Sequence, residues 1–424
     1  MLVVGSLVLG GHRGGSSSNR ASATLAALES RLLIIERRVE GIRRLEFTRR
    51  PLPVLVNADE VRKQGLLELD QQVTAPEQTA NDELLKLLDL IPADSNLRQI
   101  QAAVFQDQVA GFYDPATKKL ALVKDAGAQD ESVGEITLAH ELTHALDDQR
   151  FGIRDQAPGV DDSSTAYSAL VEGDATSVMT RYATKYMTGS NLLGALFASS
   201  TAGGPRLPPY IQASLEFPYL EGQRFIDTLY HDGANGWKLV NYAFRFHPPV
   251  STAQILHPLL FERNVKPVPV RLSVRPLMTR GWRRALAGTL GEFDTRQLFQ
   301  KALPSDRANA AAAGWRGGVY QLWRSGPLPR AECPSPCRQH DALVLAWRTS
   351  PGRDAQSLES AAATYVTRGL GGRPRGQNLW ALPGSAAALS SQSGTTVLAF
   401  APNPVLAEAL AVRAPVSTAP RARH

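Results

Sequence analysis

Two of the 424 residues are cysteine, Cys333 and Cys337, close together in CPSPC. Such a pair suits a local disulfide in an oxidising compartment. With His340 it reads C-x3-C-x2-H, an incomplete metal pattern with no obvious fourth ligand. A disulfide or two free thiols is therefore expected, and not a metal site. Long apolar runs are also missing. The apolar N-terminus, MLVVGSLVLGG, is too short to span a bilayer. Its length suits the core of a signal peptide, but the basic residues that should precede one are absent. HRGGSSSNR then reads as a flexible spacer. A signal or anchor whose start lies upstream accounts for both features and points to an extracytoplasmic protein, secreted or membrane-anchored. No basic block interleaved with aromatics occurs, and a net charge of +6 is mild for this length, so nucleic acid is not an expected partner. There is no internal repeat.

What is present is material for a core. The chain is 43% hydrophobic and 20% charged, which excludes a disordered protein. Its length suits two or three domains. The informative stretch is EITLAHELTHALDDQRFG, which contains HELTH. On a helix His140 and His144 lie one turn apart on one face, where both imidazoles can reach one metal ion. Glu141 sits about 100° around from His140, near enough to touch a water on that metal. Ile136, Leu138, Leu142, Ala145 and Leu146 fall mostly at helical spacings, and Gly152 is a plausible stop. H-E-x-x-H is the pattern of zinc peptidases.

A catalytic zinc takes three protein ligands and keeps one position open. The residues after His144, ALDDQRF, do not supply the H-x-x-G-x-x-H of a metzincin. A carboxylate on a later helix is the other common solution, and LVEGDA offers Glu172 and Asp174. These point about 200° apart on a helix, so only one can face the metal. Glu172 has the longer reach and lies beside an apolar stripe of Tyr167, Leu170 and Met179. It is preferred, with Asp174 as the alternative.

HELTH followed by LVEGDA resembles the gluzincin branch of the zincin metallopeptidases. VAGFYDPATKKLALV, FPYLEG and PPVSTAQILHP also resemble segments of uncharacterised bacterial metallopeptidases that carry HExxH. The broader similarity spans about residues 40–300. It implies His140, His144 and Glu172 as zinc ligands and Glu141 as general base. The thermolysin-like E-x-x-x-D pattern would place an Asp four residues after the ligand, but Thr176 stands there. Asp174, Thr176 and Asp148 are thus the candidates for supporting a histidine. The expected function is zinc-dependent peptide-bond hydrolysis, with a metal-activated water deprotonated by Glu141. The developing oxyanion needs a further donor. Tyr219 is the first candidate, with His231, His247 and His257 behind it. The other reading is a non-catalytic, zinc-stabilised binding or scaffold protein of the cell envelope. The intact Glu141 favours the enzyme, because a structural site needs no base and would need a fourth protein ligand.

The expected fold is α+β. After the apolar N-terminus and spacer (1–20) comes a mainly helical, zincin-like domain with a small sheet (21–305). A small β-β-α-β-β unit (306–412) and a disordered tail (413–424) follow. Residues 21–47 carry a heptad seam of Leu25, Leu28, Leu32, Ile35, Val39 and Ile42. They are expected to dock on their own domain, with a dimer contact or an inhibitory pro-segment as alternatives. A strand is predicted at 51–57 and a helix after a capping box at Asn57–Glu60. Helices follow near 79–91, capped by Thr79, and near 95–108, capped by Asp94 or Ser95. A hairpin at 111–125 should give an edge strand, 118–124, for an extended peptide substrate. Helices at 164–187, 210–232 and 235–246, an edge strand at 268–274 and a helix near 286–303 complete the main domain. Residues 196–209 read as a mobile loop that could act as a lid.

Overall fold

A computed structural model describes residues 18–57, 73–107, 111–123, 131–154, 161–187, 207–232, 236–272, 274–278, 281–326, 335–413 and 416–417, with isolated positions between them. The apolar N-terminus, the helix predicted after Asn57, nearly all of the predicted lid and most of the tail lie outside the described residues.

The architecture is α+β. Helix α1 (Ser18–Arg43) is followed by β1 (Pro53–Val56), α2 (Ala75–Leu87), α3 (Leu97–Asp107) and the hairpin of β2 (Gly111–Asp114) and β3 (Lys119–Val123). Three long helices come next: α4 (Glu131–Phe151), α5 (Asp162–Tyr186) and α6 (Pro209–Asp232). The short helices α7 (Lys238–Arg245), α8 (Thr252–Leu256) and α9 (Pro258–Glu262) close this part. Leu32, Ile35 and Val39 of α1 share one core with Leu142 and Leu146 of α4, Leu170 and Val178 of α5, and Phe225 of α6. From Leu32 to Ile42, the heptad seam is therefore an intramolecular face.

Two helix starts differ from expectation. Thr74, not Thr79, caps α2: Thr74 Oγ1 accepts from the Glu77 N–H at 3.4 Å, and Glu77 Oε2 accepts from the Thr74 N–H at 3.0 Å. This is a reciprocal capping box one turn earlier than predicted. Thr79 lies inside the helix, its hydroxyl donating to the Ala75 carbonyl at 2.9 Å. Helix α3 is capped by Asn96, whose Oδ1 accepts from the Gln99 N–H at 3.1 Å.

The small sheet has the order β1-β3-β2, with β1 parallel and β2 antiparallel to β3. This corrects the edge-strand expectation. β3 is paired on both sides and offers no free edge; the strand that adjoins α4 is β2. The Asp114-Pro115 turn forms as predicted, with Asp114 Oδ1 accepting from the Ala116 N–H at 2.8 Å.

A second unit is built on a seven-stranded antiparallel sheet. Its strands are β5 (Trp282–Thr289), β6 (Trp315–Ser325), β7 (Asp341–Thr349), β8 (Arg373–Gly376), β9 (Leu379–Leu382), β10 (Ser385–Gln392) and β11 (Thr395–Ala401). They run in the order β5-β6-β7-β11-β10-β9-β8. The predicted helix near 286–303 is a strand up to Thr289 and helical only over Glu292–Gln300. The sheet thus starts well before residue 306. The predicted strand at 268–274 is reduced to β4 (Arg271–Leu272). Pro267 and Pro269 remove ladder donors there.

Alternation along β7 sets the layers. Leu343, Leu345 and Trp347 face one core, and Ala342, Val344 and Ala346 face the other. The first core also takes Leu84, Leu87, Leu88 and Ile91, from in and just after α2, so the sheet unit borrows an element from far earlier in the chain. The sheet unit meets the helical unit at the start of α5, where Thr289 of β5 bonds to Asp162. Asp162 Oδ1 accepts from the Thr252 N–H at 3.0 Å, and the Asp162 N–H donates to Thr289 Oγ1 at 2.8 Å. Cys333 and Cys337 form a disulfide, and His340 Nδ1 pairs with Ser325 Oγ at 3.2 Å. Among the described residues, no helix is long and apolar enough to cross a membrane.

Candidate metal centre

Helix α4 is buried on every side from Ile136 to Asp148. A helix in that position should be apolar throughout, yet this one carries Thr137, His140, Glu141, Thr143, His144, Asp147 and Asp148. Buried polar groups are costly unless they are partnered. The two histidines find their partner, Glu172, on α5, which is buried without interruption from Ala169 to Met179 and also carries Asp174, Thr176 and Ser177 inward.

The structure brings His140, His144 and Glu172 together. The two Nε2 atoms lie 3.0 Å apart. Glu172 Oε2 is 3.2 Å from His140 Nε2 and 3.4 Å from His144 Nε2. A tetrahedral ion with bonds of about 2.0–2.1 Å needs its donors roughly 3.3 Å apart. The triangle has that size. Among the described residues it is the one group of three or more His, Cys, Asp or Glu side chains that can hold a metal ion. The donor chemistry agrees. Two imidazole nitrogens facing each other in a buried site cannot both be satisfied by one shared proton together with the carboxylate, whereas a cation satisfies all three atoms. Burial pushes the Glu172 carboxyl up, but the two histidines outweigh it and bring it down to about 2. For His144, burial opposes the charged form, and Glu172 overrides it to raise the imidazole.

Glu141 is fully buried one position along from His140. The Tyr113 N–H of β2 donates to its Oε2 at 2.9 Å. That bond runs from the outer side of the hairpin and holds the carboxylate beside the metal triangle. Tyr219 of α6 is also at the centre, its ring stacked with that of His140 at 6.1 Å between centroids. Burial, reinforced by the Glu172 and Glu141 carboxylates, holds its hydroxyl well above the ordinary range. It stays protonated and acts as a donor. Of the three other donor candidates, His257 pairs with Glu292 at 2.9 Å. His247 packs against Tyr242 and Phe261, and His231 against Tyr230.

Two glycines deliver Tyr219. Helices α5 and α6 cross where Gly173 meets Gly222. A Cβ on Gly173 would lie 2.2 Å from the Gly222 carbonyl carbon, and one on Gly222 would lie 2.2 Å from the Ala169 carbonyl oxygen. These neighbours are backbone atoms and cannot rotate away. Gly173 follows Glu172, and Gly222 is one turn past Tyr219, so the crossing sets the ligand and the tyrosine face to face. Gly222→Ala must push the helices apart. It is expected to lower stability by about 3 kcal/mol or more, the upper end for overpacking a well-filled core, as read by denaturant unfolding. A change under 0.5 kcal/mol would show that the crossing is not tight.

The proposed supporting residues lie elsewhere. Asp148 accepts from the Tyr113 hydroxyl at 2.7 Å, from Lys118 Nζ at 2.7 Å and from the Ile153 N–H at 3.0 Å. Asp174 Oδ2 accepts from Arg43 Nε at 2.8 Å. Among the described residues, Thr176 Oγ1 has no hydrogen-bond partner, and neither do the Nδ1 atoms of His140 and His144. None of the three candidates therefore holds a histidine ring by a hydrogen bond. Three groups at the site were not read from sequence: the Tyr113 N–H, Asp147 and Arg43. Asp147 had a signal, since it lies three residues past His144 and so on the same side of the helix. Burial and the adjacent Asp174 push its carboxyl well up, against the pull of Arg43. Arg43 and the Tyr113 N–H reach the site only through tertiary contact.

Residues 279–411, which comprise the sheet unit from just before β5 to the helix after β11, match a family described as a domain of unknown function (DUF8575). No curated protein matches the chain. Among solved structures, the chain is similar to a crystal structure from Chloroflexus aurantiacus described as a candidate hydrolase with a novel fold. The identity is 16% and the TM-score 0.42, over 59% of this chain and 92% of that one.

Proposed function

We propose that the protein is a zinc-dependent metallopeptidase of the gluzincin type, cleaving peptide bonds with Glu141 as general base. The observation that carries the reading is the buried donor triangle of His140, His144 and Glu172 with Glu141 and Tyr219 on its border. Two imidazoles and one carboxylate form the donor set of a catalytic zinc with an open position. Zinc bound there supplies Lewis acidity, which lowers the pKa of water and polarises a carbonyl.

The chain's own residues do the rest. The Glu141 carboxylate takes the proton of the attacking water and returns it to the leaving amine. The Tyr113 N–H, at 2.9 Å from Oε2, fixes the orientation of that carboxylate. The Tyr219 hydroxyl, kept protonated, donates to the oxygen that gains negative charge. An extracytoplasmic site of action is part of the same proposal, and the Cys333–Cys337 disulfide is compatible with it.

Metal removal tests the proposal. Purified protein is expected to hold one zinc per chain and to hydrolyse casein or a peptide library. A strong chelator should abolish the hydrolysis, and added zinc should restore it. Full zinc occupancy without turnover on a broad library would favour the non-catalytic scaffold instead.

A further inference from the structure

The geometry points to Arg43 as a positioning residue of the metal centre: its guanidinium joins the two helices that carry the metal ligands and fixes the distance between them. This inference rests on the metal-centre reading given above. Arg43 is the last residue of α1 and is fully buried. Its Nε donates to Asp174 Oδ2 at 2.8 Å, two residues past Glu172 on α5. Its Nη2 lies 3.5 Å from Asp147 Oδ1, three residues past His144 on α4. Its Nη1 donates to Asn241 Oδ1 on α7 at 2.6 Å. One planar group thus meets three helices, α5 and α7 by hydrogen bonds and α4 by charge alone, and two of these contacts end within one turn of a metal ligand.

The guanidinium cannot swing. Trp237 and Phe151 lie over it, with centroids 4.5 Å and 5.6 Å from its central carbon. The Trp237 indole N–H donates to the Ile42 carbonyl at 2.7 Å, which locks the ring to the end of α1. Arg44 follows at φ 56°, so the chain leaves the helix directly after Arg43. A cation in the last turn also suits the helix C-terminus. The guanidinium thus stands between a carboxyl group of α4 and one of α5. The spacing of the two Nε2 atoms and Oε2 depends on those same helices.

Arginine is required because only its fork can reach several acceptors in one plane; a lysine keeps the charge as a point. The test uses the full-length purified protein, with zinc affinity measured by chelator competition and the fold by circular dichroism. Arg43→Lys should retain the fold and bind zinc at least about tenfold more weakly, the effect typical of losing a group that supports the ligands. Asn241→Ala leaves the charge untouched and removes one tether, so a smaller loss in the same direction is expected. A purely structural role would lower thermal stability and leave the affinity of the folded protein unchanged. Wild-type affinity in Arg43→Lys overturns the positioning role alone. A wild-type protein that binds no zinc overturns the metal-centre reading beneath it. Loss of fold in both variants also overturns the inference, because packing and metal positioning would then be one and the same.

Discussion

Replacing Glu141 by glutamine is expected to cut peptide hydrolysis by about a hundred- to ten-thousand-fold while zinc content stays at one per chain. The range is that of removing a general base. Glutamine is close in shape to glutamate, and its amide oxygen can still accept from the Tyr113 N–H, which now holds Glu141 Oε2 at 2.9 Å. Helix α4 is fully buried at this position, so the substitution adds no bulk to a packed site. The missing property is proton affinity, and the donor triangle of His140, His144 and Glu172 is left intact. Turnover of a fluorogenic peptide and elemental analysis of the same sample separate the two effects. Unchanged turnover would remove Glu141 from the mechanism. Loss of zinc along with turnover would show that Glu141 supports the ligand set, and the variant would then say nothing for a base.

Much of this centre was legible because its determinants are local. The two histidines are one helical turn apart, and one helix brings them to one point. Glu172 is legible for a different reason: it is an acid inside an apolar helical stretch, and such a group needs a partner. Arg43 leaves no comparable trace, because its partner Asp174 is 131 positions away and one basic residue at the end of a heptad helix resembles any other. The fold shows the same division. The Thr74-Ala-Pro-Glu77 capping box is a local signal in the sequence, five residues ahead of the expected cap at Thr79. β3 is different. Its central place comes from parallel pairing with β1, where Val54 meets Ala121, and no local pattern carries that pairing. The same holds for β5, whose segment WRRALAGT lacks clean alternation and becomes a strand by pairing with β6 from Trp282 to Thr289.

Deleting residues 1–50 is expected to unfold the helical unit and to abolish zinc binding. The heptad helix raised another possibility, an inhibitory segment whose removal increases activity, so the two outcomes have opposite signs. The packing decides the expectation. Leu32, Ile35 and Val39 are at most 1% exposed, in one core with α4. Each contributes about 1.5–3 kcal/mol by burial. Removing Arg43 leaves Asp174 without its buried partner, and breaking a buried pair in this way costs about 3–5 kcal/mol. The Trp237 indole N–H also loses its acceptor on Ile42, and Glu135 loses Arg31 and Arg38, which bind it at 3.1 Å and 3.0 Å. The sum is on the order of 10 kcal/mol, comparable to the whole stability of a typical domain. An inhibitory segment has to leave a folded enzyme behind, and such a segment does not supply the counter-ion of a helix that carries Glu172. Cooperative unfolding followed by circular dichroism, together with zinc content, reads the result. A truncated chain that stays folded, keeps its zinc and hydrolyses peptides faster would restore the inhibitory role and would place Arg43 outside the essential structure.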